Sequence, residues 1–284
     1  MSKKINSGFN KRKAKRWVSY LLKVLLGLAI ISPVLICLSF AFKPATELMG
    51  AGYAKLFPEN PTFENFKWVI NEVPVLTYLK NTLIQCAIVI CAQLVLCSAA
   101  AYALTFFDFK GKDLLFTIIL SSMMIPGDVV VITNYIQIQH WQLTDTHFGM
   151  AVPYLVGGMG IFLMRQFYLT VPKEMKEASE IDGCGDIRFL MRILMPISVP
   201  TYASLCIYDF IGVYNSWLWP LMVTNKDEMR TVQIGLARAL NGDVYDEFAL
   251  VLAASTVAII PTIIVFVVAQ EYLIRGMVSG SVKG

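Results

Sequence analysis

Charge is scarce in this 284-residue chain: Asp, Glu, Lys and Arg make up 15% of it, where soluble domains carry about 25%. Hydrophobic residues make up 56%, so the composition excludes an ordinary soluble domain and makes the bilayer the expected solvent. Histidine is nearly absent, with only His140 and His147. Neither has metal-ligand spacing beside it, so both are read as loop or interface residues and no metal site is expected. The six cysteines include no C-x-x-C pair. Cys37, Cys86, Cys91, Cys97 and Cys206 lie in apolar runs and Cys184 in an interior loop, which argues against structural disulfides. No G-x-x-x-x-G-K-[ST] segment occurs, so this chain does not itself cradle nucleotide phosphates. No catalytic histidine pair or nucleophile motif is found, so no catalytic residue is expected, and no cofactor on this chain.

Long apolar runs are what the chain does have. A hydrocarbon core of about 30 Å takes about 20 apolar residues to cross. Six runs of that kind lie at 17–42, 78–107, 114–138, 148–164, 197–223 and 248–274. The first follows a basic stretch, Lys3, Lys4, Lys11, Arg12, Lys13, Lys15 and Arg16. It is longer than a signal-peptide apolar region of about 7 to 15 residues, so it is expected to be retained. The expected fold is an all-α integral membrane protein with six transmembrane helices, multi-pass in a bacterial cytoplasmic membrane. Lys and Arg concentrate on the N-terminal side: the basic tail, Lys110, Lys112, Arg165, Lys173, Lys176, Arg188, Arg192, Arg275 and Lys283. The positive-inside bias therefore places both termini in the cytoplasm. It also accounts for the net charge of +4 without nucleic acid. The basic tail can in addition attract anionic lipid, and Trp17, Trp141 and Trp219 near span ends suit interfacial anchoring.

The chain divides into a basic tail (1–16), a first transmembrane helix (17–42), an external loop (43–77), a five-helix core (78–275) and a C-terminal tail (276–284). Pro44, Pro58, Pro61 and Pro74 break the external loop. Within the core, the interior loop 165–195 is long and charged. Pro172 suits a helix start, Lys173 to Asp182 is rich in helix formers, and Gly183 suits a stop. Met175, Ala178 and Ile181 or Asp182 recur at helical spacing, giving a narrow apolar or small face flanked by charge. On these grounds alone the segment is either a docking helix or a solvated connector.

Spacing decides between the two. Glu177-Ala178-Ser179, three residues, Gly183, nine residues, Ile193, one residue, Met195-Pro196 resembles the E-A-A-x3-G-x9-I-x-L-P loop of binding-protein-dependent ABC importer permeases. Ser179 replaces the second alanine and Met195 the leucine. The run 270–284 resembles the tail of maltose-type carbohydrate permeases. Tyr214-Asn215-Ser216-Trp217-Leu218-Trp219-Pro220-Leu221 resembles their W-N-x-F/Y-L-W-P-L stretch, with Tyr214 for tryptophan and Trp217 for a smaller aromatic.

The resemblance implies the type I ABC importer permease fold and a coupling loop over 172–196. Its coupling helix would dock on a cytoplasmic ATPase through Glu177, Ala178, Ser179, Asp182, Gly183 and Pro196. The tail residues Arg275, Gly276 and Lys283 would also contact that ATPase. It further implies a second homologous permease subunit, two ATP-binding cassette ATPase subunits that hold ATP and Mg, and an extracellular or periplasmic sugar-binding protein. The loop 224–247, with a turn at Asn241-Gly242-Asp243, would reach toward the sugar. The implied function is import of a sugar, an oligosaccharide in the first instance, by ATP-driven alternating access. A glycerol phosphate derivative is the alternative cargo, although the runs hold only Lys23 and Lys80 to meet a phosphate. A secondary transporter would ordinarily show internal repeats or an ion-coupling site.

For the substrate path, Tyr208, Gly212, Asn215 and Trp219 recur at helical spacing, with Asp209 and Ser216 beside them. Such a stripe either lines the path or packs helices together. Asp128 follows Pro126-Gly127 in the third run. It either caps the second half of a broken helix or joins Asn134 in the cavity wall.

Overall fold

The computed structural model describes the backbone of residues 2–48, 55–240 and 248–281, and the side chains of 16–44, 46–47, 55–237 and 248–270. Among the described residues the chain is helical and has no strand. It forms two compact units, Met1–Val73 with Leu240–Val257, and Pro74–Ala239 with Ala258–Gly284. This differs from the division read in the sequence, because the start of the last apolar run joins the first unit.

The first unit holds α1 (Ser2–Ala41), α2 (Ala45–Leu48), α3 (Glu64–Glu72) and the beginning of α15 (Phe248–Ser281). The thiol of Cys37 donates to the carbonyl of Leu252 at 3.7 Å and so ties α1 to α15. A helix leaves its last carbonyls without partners. At the end of α1 the buried Asn65 supplies them, its amide donating to the carbonyls of Ala41 and Lys43 at 2.8 Å each. Phe42 packs on Phe63 and Phe66, with ring centres 5.2 and 4.9 Å away.

The second unit is organised around α4 (Val75–Phe106). Its buried residues include a row of polar side chains, each of which finds a partner on another element. Asn81 donates to the carbonyls of Glu228 and Arg230, and Thr82 accepts from the amide of Val232. Gln85 donates to Met150 O and Gln93 to Tyr154 O, while Ser98 meets the hydroxyl of Tyr202 at 2.7 Å. Polar side chains of this kind hold helices together where burial from lipid gives no driving force. Gly160 lets the neighbouring helix approach, since a Cβ there would lie 2.8 Å from Cys97 Sγ and from Gln93 Oε1.

Three helical stretches are long and apolar enough to cross a membrane: Arg16–Ala41, Val75–Phe106 and Phe248–Gln270. They coincide with the first, second and sixth apolar runs. The other three runs fall on bent pairs, which raise the number to six if each pair is one span. α5 (Lys112–Ser122) meets the 3-10 turn Gly127–Val130 and α6 (Val131–His140) at 87°, where Pro126 removes a donor and Gly127 has no side chain. α7 (His147–Ala151), with the turn Val152–Tyr154, meets α8 (Gly158–Tyr168) at 53°. α9 (Lys173–Ile181) follows. Then α10 (Asp186–Phe189), a π turn Leu190–Leu194 and α11 (Met195–Ile197) meet α12 (Val199–Tyr214) at 81°. Pro196 and Pro200 flank that break, as prolines at kinks do.

The run 197–223 is therefore not one helix. α12 stops at Tyr214 and α13 (Leu218–Val223) starts afresh. Pro220 is the reason: in a continuous helix its ring would meet the carbonyl of Ser216, whereas in the first turn of α13 it is tolerated. The stretch ends with α14 (Val232–Leu240). Buried clusters form around Tyr102, Met164, Tyr168, Phe189, Leu194 and Leu205, around Cys97, Leu104, Phe116 and Ile161, and around Ile138, Met150, Trp219 and Val223.

Candidate functional site

Two places in the second unit bring the expected site residues together. The first is the loop around α9. Pro172 stands immediately before the helix and Asp182 at its C-cap. Gly183 has φ +74, the left-handed conformation that costs glycine nothing. Its amide donates to Glu180 O at 2.9 Å and the amide of Cys184 to Ser179 O at 2.8 Å. That pair of bonds is the Schellman motif, which satisfies the last carbonyls of a helix.

The two faces of α9 differ. Glu177, Ala178 and Asp182 are exposed. The apolar side chains of Met175, Ile181, Ile187 and Met191 are also exposed, Ile181 at 88%. Several exposed large apolar side chains on one loop suit a partner-binding site. Ser179 faces the other way: it is buried, and its hydroxyl donates to Lys176 O at 2.7 Å. Of the two small residues, only Ala178 is exposed. Pro196 is exposed in α11.

Lys176 is the inward charge of α9. Its ammonium lies 2.6 Å from Glu180 Oε1 and 2.9 Å from Asp186 Oδ1, over the ring of Phe189. Burial opposes this charge, but the hydrogen bonds to Glu180 and Asp186 outweigh burial and raise the Lys176 pKa above its ordinary value. The hydroxyl of Tyr102, on α4, donates to the same Asp186 oxygen at 2.6 Å. Of these four residues the sequence offered only the i,i+4 pair Lys176 and Glu180 as a signal.

The second place is a cavity of about 320 Å³ lined by Gly127, Asp128, Val130, Val131, Asn134, Pro153, Tyr154, Ser216, Trp217, Leu218 and Trp219. It joins Asp128, Asn134, Ser216 and Trp219 from the expected substrate path, and adds Tyr154 and Trp217. Asp128 does not act as a cap. It lies within the turn Gly127–Val130, and the turn has no side-chain cap bond. Tyr154 Oη and Ser216 Oγ are 3.4 Å apart, and the indole of Trp217 is exposed. A carboxylate, an amide, two hydroxyls and aromatic faces with no Lys or Arg among the lining residues suit a neutral polyhydroxylated ligand.

The rest of the stripe does not reach this cavity, because the break after Tyr214 separates it. Tyr208 and Gly212 are exposed along α12, and Asn215 is exposed at its C-cap. Asp209 is buried, and its Oδ2 has no hydrogen-bond partner among the described residues. Trp219 is no interfacial anchor: it is buried and donates from Nε1 to Met150 O at 3.1 Å. His147 is the first residue of α7, not a loop residue, and meets Asn81 Oδ1 at 3.0 Å. Among the described residues no group of three potential metal ligands occurs. Lys283 and the turn Asn241-Gly242-Asp243 lie outside the described residues, as do the side chain of Arg275 and the surroundings of Gly276.

Known proteins resemble this chain. The arabinooligosaccharides transport system permease protein AraQ of Halalkalibacterium halodurans is 33% identical over 96% of this chain and 100% of that protein. The sn-glycerol-3-phosphate transport system permease protein UgpE of Brucella abortus is 33% identical over 70% of this chain and 71% of that protein. A solved structure of a bacterial ABC transporter involved in the import of the acidic polysaccharide alginate has a chain with TM-score 0.80 and 21% identity, covering 92% of this chain and 97% of that one. That likeness shows a shared fold. Residues 93–279, which contain both the α9 loop and the cavity, match the family described as binding-protein-dependent transport system inner membrane component. The chain belongs to that family, the membrane permeases of binding-protein-dependent ABC importers.

Proposed function

We propose that this chain is one of two homologous permease subunits through which a neutral oligosaccharide enters the cytoplasm, with α9 as the coupling helix. The exposed apolar face of Met175, Ile181, Ile187 and Met191 around α9 carries the proposal. On a solvent-facing loop such a face calls for a protein partner, and two ATPase subunits that bind ATP and Mg are the partner the family implies. Glu177 and Asp182 at its edge would pair with basic residues of the ATPase, and the tail residues Arg275, Gly276 and Lys283 would add to that contact. Six spans with both termini cytoplasmic put α9 on the ATPase side, in agreement with the distribution of Lys and Arg. ATP binding would move the helices as a body and open the cavity alternately to each side. Sugar would be delivered by an external binding protein.

The cargo follows from the lining. Asp128 sits in the cavity wall and no Lys or Arg does, which disfavours a phosphate. The relative named for arabinooligosaccharides, similar along nearly the whole chain, supports a neutral oligosaccharide. The relative named for sn-glycerol-3-phosphate keeps an anionic cargo as the second reading, in which the partner permease supplies the positive charge.

The test is the reconstituted importer, with its binding protein and ATPase subunits, challenged with a panel of neutral oligosaccharides and with glycerol phosphate. ATP hydrolysis and uptake are expected to rise with a neutral oligosaccharide only. A complex without ATP-dependent uptake overturns the proposal. Glu177→Lys is expected to weaken ATPase binding while the permease still inserts, and unchanged binding removes the coupling role.

A further inference from the structure

We infer that Lys176, Asp186 and Tyr102 form a relay that makes α4 the member carrying motion of α9 into the helix bundle, so that all three are positioning residues for coupling ATP hydrolysis to transport. The inference rests on α9 being the coupling helix. One carboxylate oxygen, Asp186 Oδ1, takes both the ammonium of Lys176 at 2.9 Å and the hydroxyl of Tyr102 at 2.6 Å. The first donor belongs to α9 and the second to α4. Donors that converge on a charged oxygen make short, directional bonds, so α9 and the end of α4 are held in register by a single group.

The surroundings reinforce the contact. The Lys176 side chain is only 11% exposed although α9 lies at the surface. Its ammonium stands 5.4 Å from the centre of the fully buried Phe189 ring, which in turn packs edge-on against Phe106 of α4 at 5.6 Å. A lysine placed only for solubility would turn outward and leave its ammonium hydrated. Here the ammonium turns inward onto Asp186 and Phe189 of α10.

α4 is suited to pass a displacement on. It is one unbroken helix of 32 residues, whereas the neighbouring apolar runs are bent by 53° to 87° at their breaks. A displacement applied to a bent pair is absorbed at the bend, while a continuous helix moves as a body. About 14 Å up the helix from Tyr102, at 1.5 Å per residue, Gln93 of α4 donates to the carbonyl of Tyr154. Tyr154 lines the cavity and faces Ser216 across 3.4 Å. The same helix therefore holds the coupling loop at one point and the cavity wall at another.

The experiment uses the complete importer in lipid vesicles, with ATPase subunits and binding protein, and measures sugar taken up per ATP hydrolysed alongside ATPase-subunit binding. Tyr102→Phe removes one hydroxyl, and Lys176→Met removes the charge while keeping the stem. Each is expected to lower uptake per ATP about three- to tenfold, the loss of one half-exposed charge-assisted bond, with ATPase binding as in the wild type. A merely structural role would reduce the amount of assembled complex and leave the ratio per complex unchanged. The double variant is expected to be no worse than the more severe single one, because both break the same relay. An unchanged ratio in Tyr102→Phe, or losses that multiply in the double variant, overturns the relay. If Lys176→Met fails to assemble, Asp186→Asn, which keeps the shape, replaces it with the same expected ratio and the same refutation. Glu177→Lys separates the two ideas. If it releases the ATPase while Tyr102→Phe keeps the normal ratio, the relay alone fails. If it binds ATPase normally, the coupling assignment of α9 fails with it.

Discussion

Replacing Gly183 isolates what the end of α9 contributes. Its φ of +74 lies where a side chain is strained by its own backbone, and nothing lies within 4 Å of a Cβ built there. The whole cost of Gly183→Val is therefore conformational, about 1–2 kcal/mol for a non-glycine residue held in the left-handed region, toward the upper end for a β-branched one. Relieving that strain means giving up the bonds from Gly183 to Glu180 and from Cys184 to Ser179, which unwinds the last turn of α9 and releases Ile181. If the ATPase recognises only the capped helix, its apparent affinity falls by the fraction of chains that keep the cap. For 1–2 kcal/mol that is about 5- to 30-fold. Asparagine tolerates the left-handed region better, so Gly183→Asn is expected to lose less than Gly183→Val. The assay is titration of ATPase subunits onto the permease in lipid nanodiscs, with thermal melting of the permease alone as a control. Equal affinities for wild type and Gly183→Val refute the argument, as does an equal loss for Val and Asn.

Two further outcomes concern the bundle and the cavity. Gly160→Ala is expected to destabilise the permease by about 1–3 kcal/mol, read as a lower melting temperature, because the new Cβ would press on Cys97 and on the Gln93 amide that holds Tyr154. Gly212→Ala, with nothing within 4 Å of its Cβ, is expected to melt as the wild type. Asp128→Asn is expected to lower maximal sugar uptake several-fold, the loss of a charged acceptor worth about 1.5–3 kcal/mol at full burial and less at this exposed position. Binding-protein-stimulated ATP hydrolysis is expected to persist in that variant. Undiminished uptake would mean that Asp128 does not meet the sugar.

How far the sequence could be read depended on how local the deciding physics was. The α9 segment was legible because its punctuation is local: Pro172 before the first turn and Gly183 after the last impose the same backbone in almost any context. The apolar runs were legible as apolar, but not as straight. Bends depend on where a proline falls relative to the turn it interrupts: Pro126 breaks a run that hydropathy alone treats as continuous, and Pro196 and Pro200 flank the bend at the start of another. Pro220 shows the consequence most clearly. By stopping α12 at Tyr214 it removes the regular spacing on which the polar stripe was built, leaving Asp209 inside the bundle and carrying Ser216 and Trp217 into the cavity.

The relay was not legible for the complementary reason. Tyr102 and Asp186 stand 84 positions apart, and neither belongs to a motif, so only the packing of α4 against α10 reveals that they share a proton donor and acceptor. Lys176 looked like one charge among many on a solvated helix, yet its ammonium turns inward onto Asp186. The two faces of α9 are thus written in different ways. The spacing of its outer face is visible in one chain. Its inner face is held to this bundle through one carboxylate and one tyrosine, and variants there are expected to alter the ratio of transport to hydrolysis while variants on the outer face alter assembly.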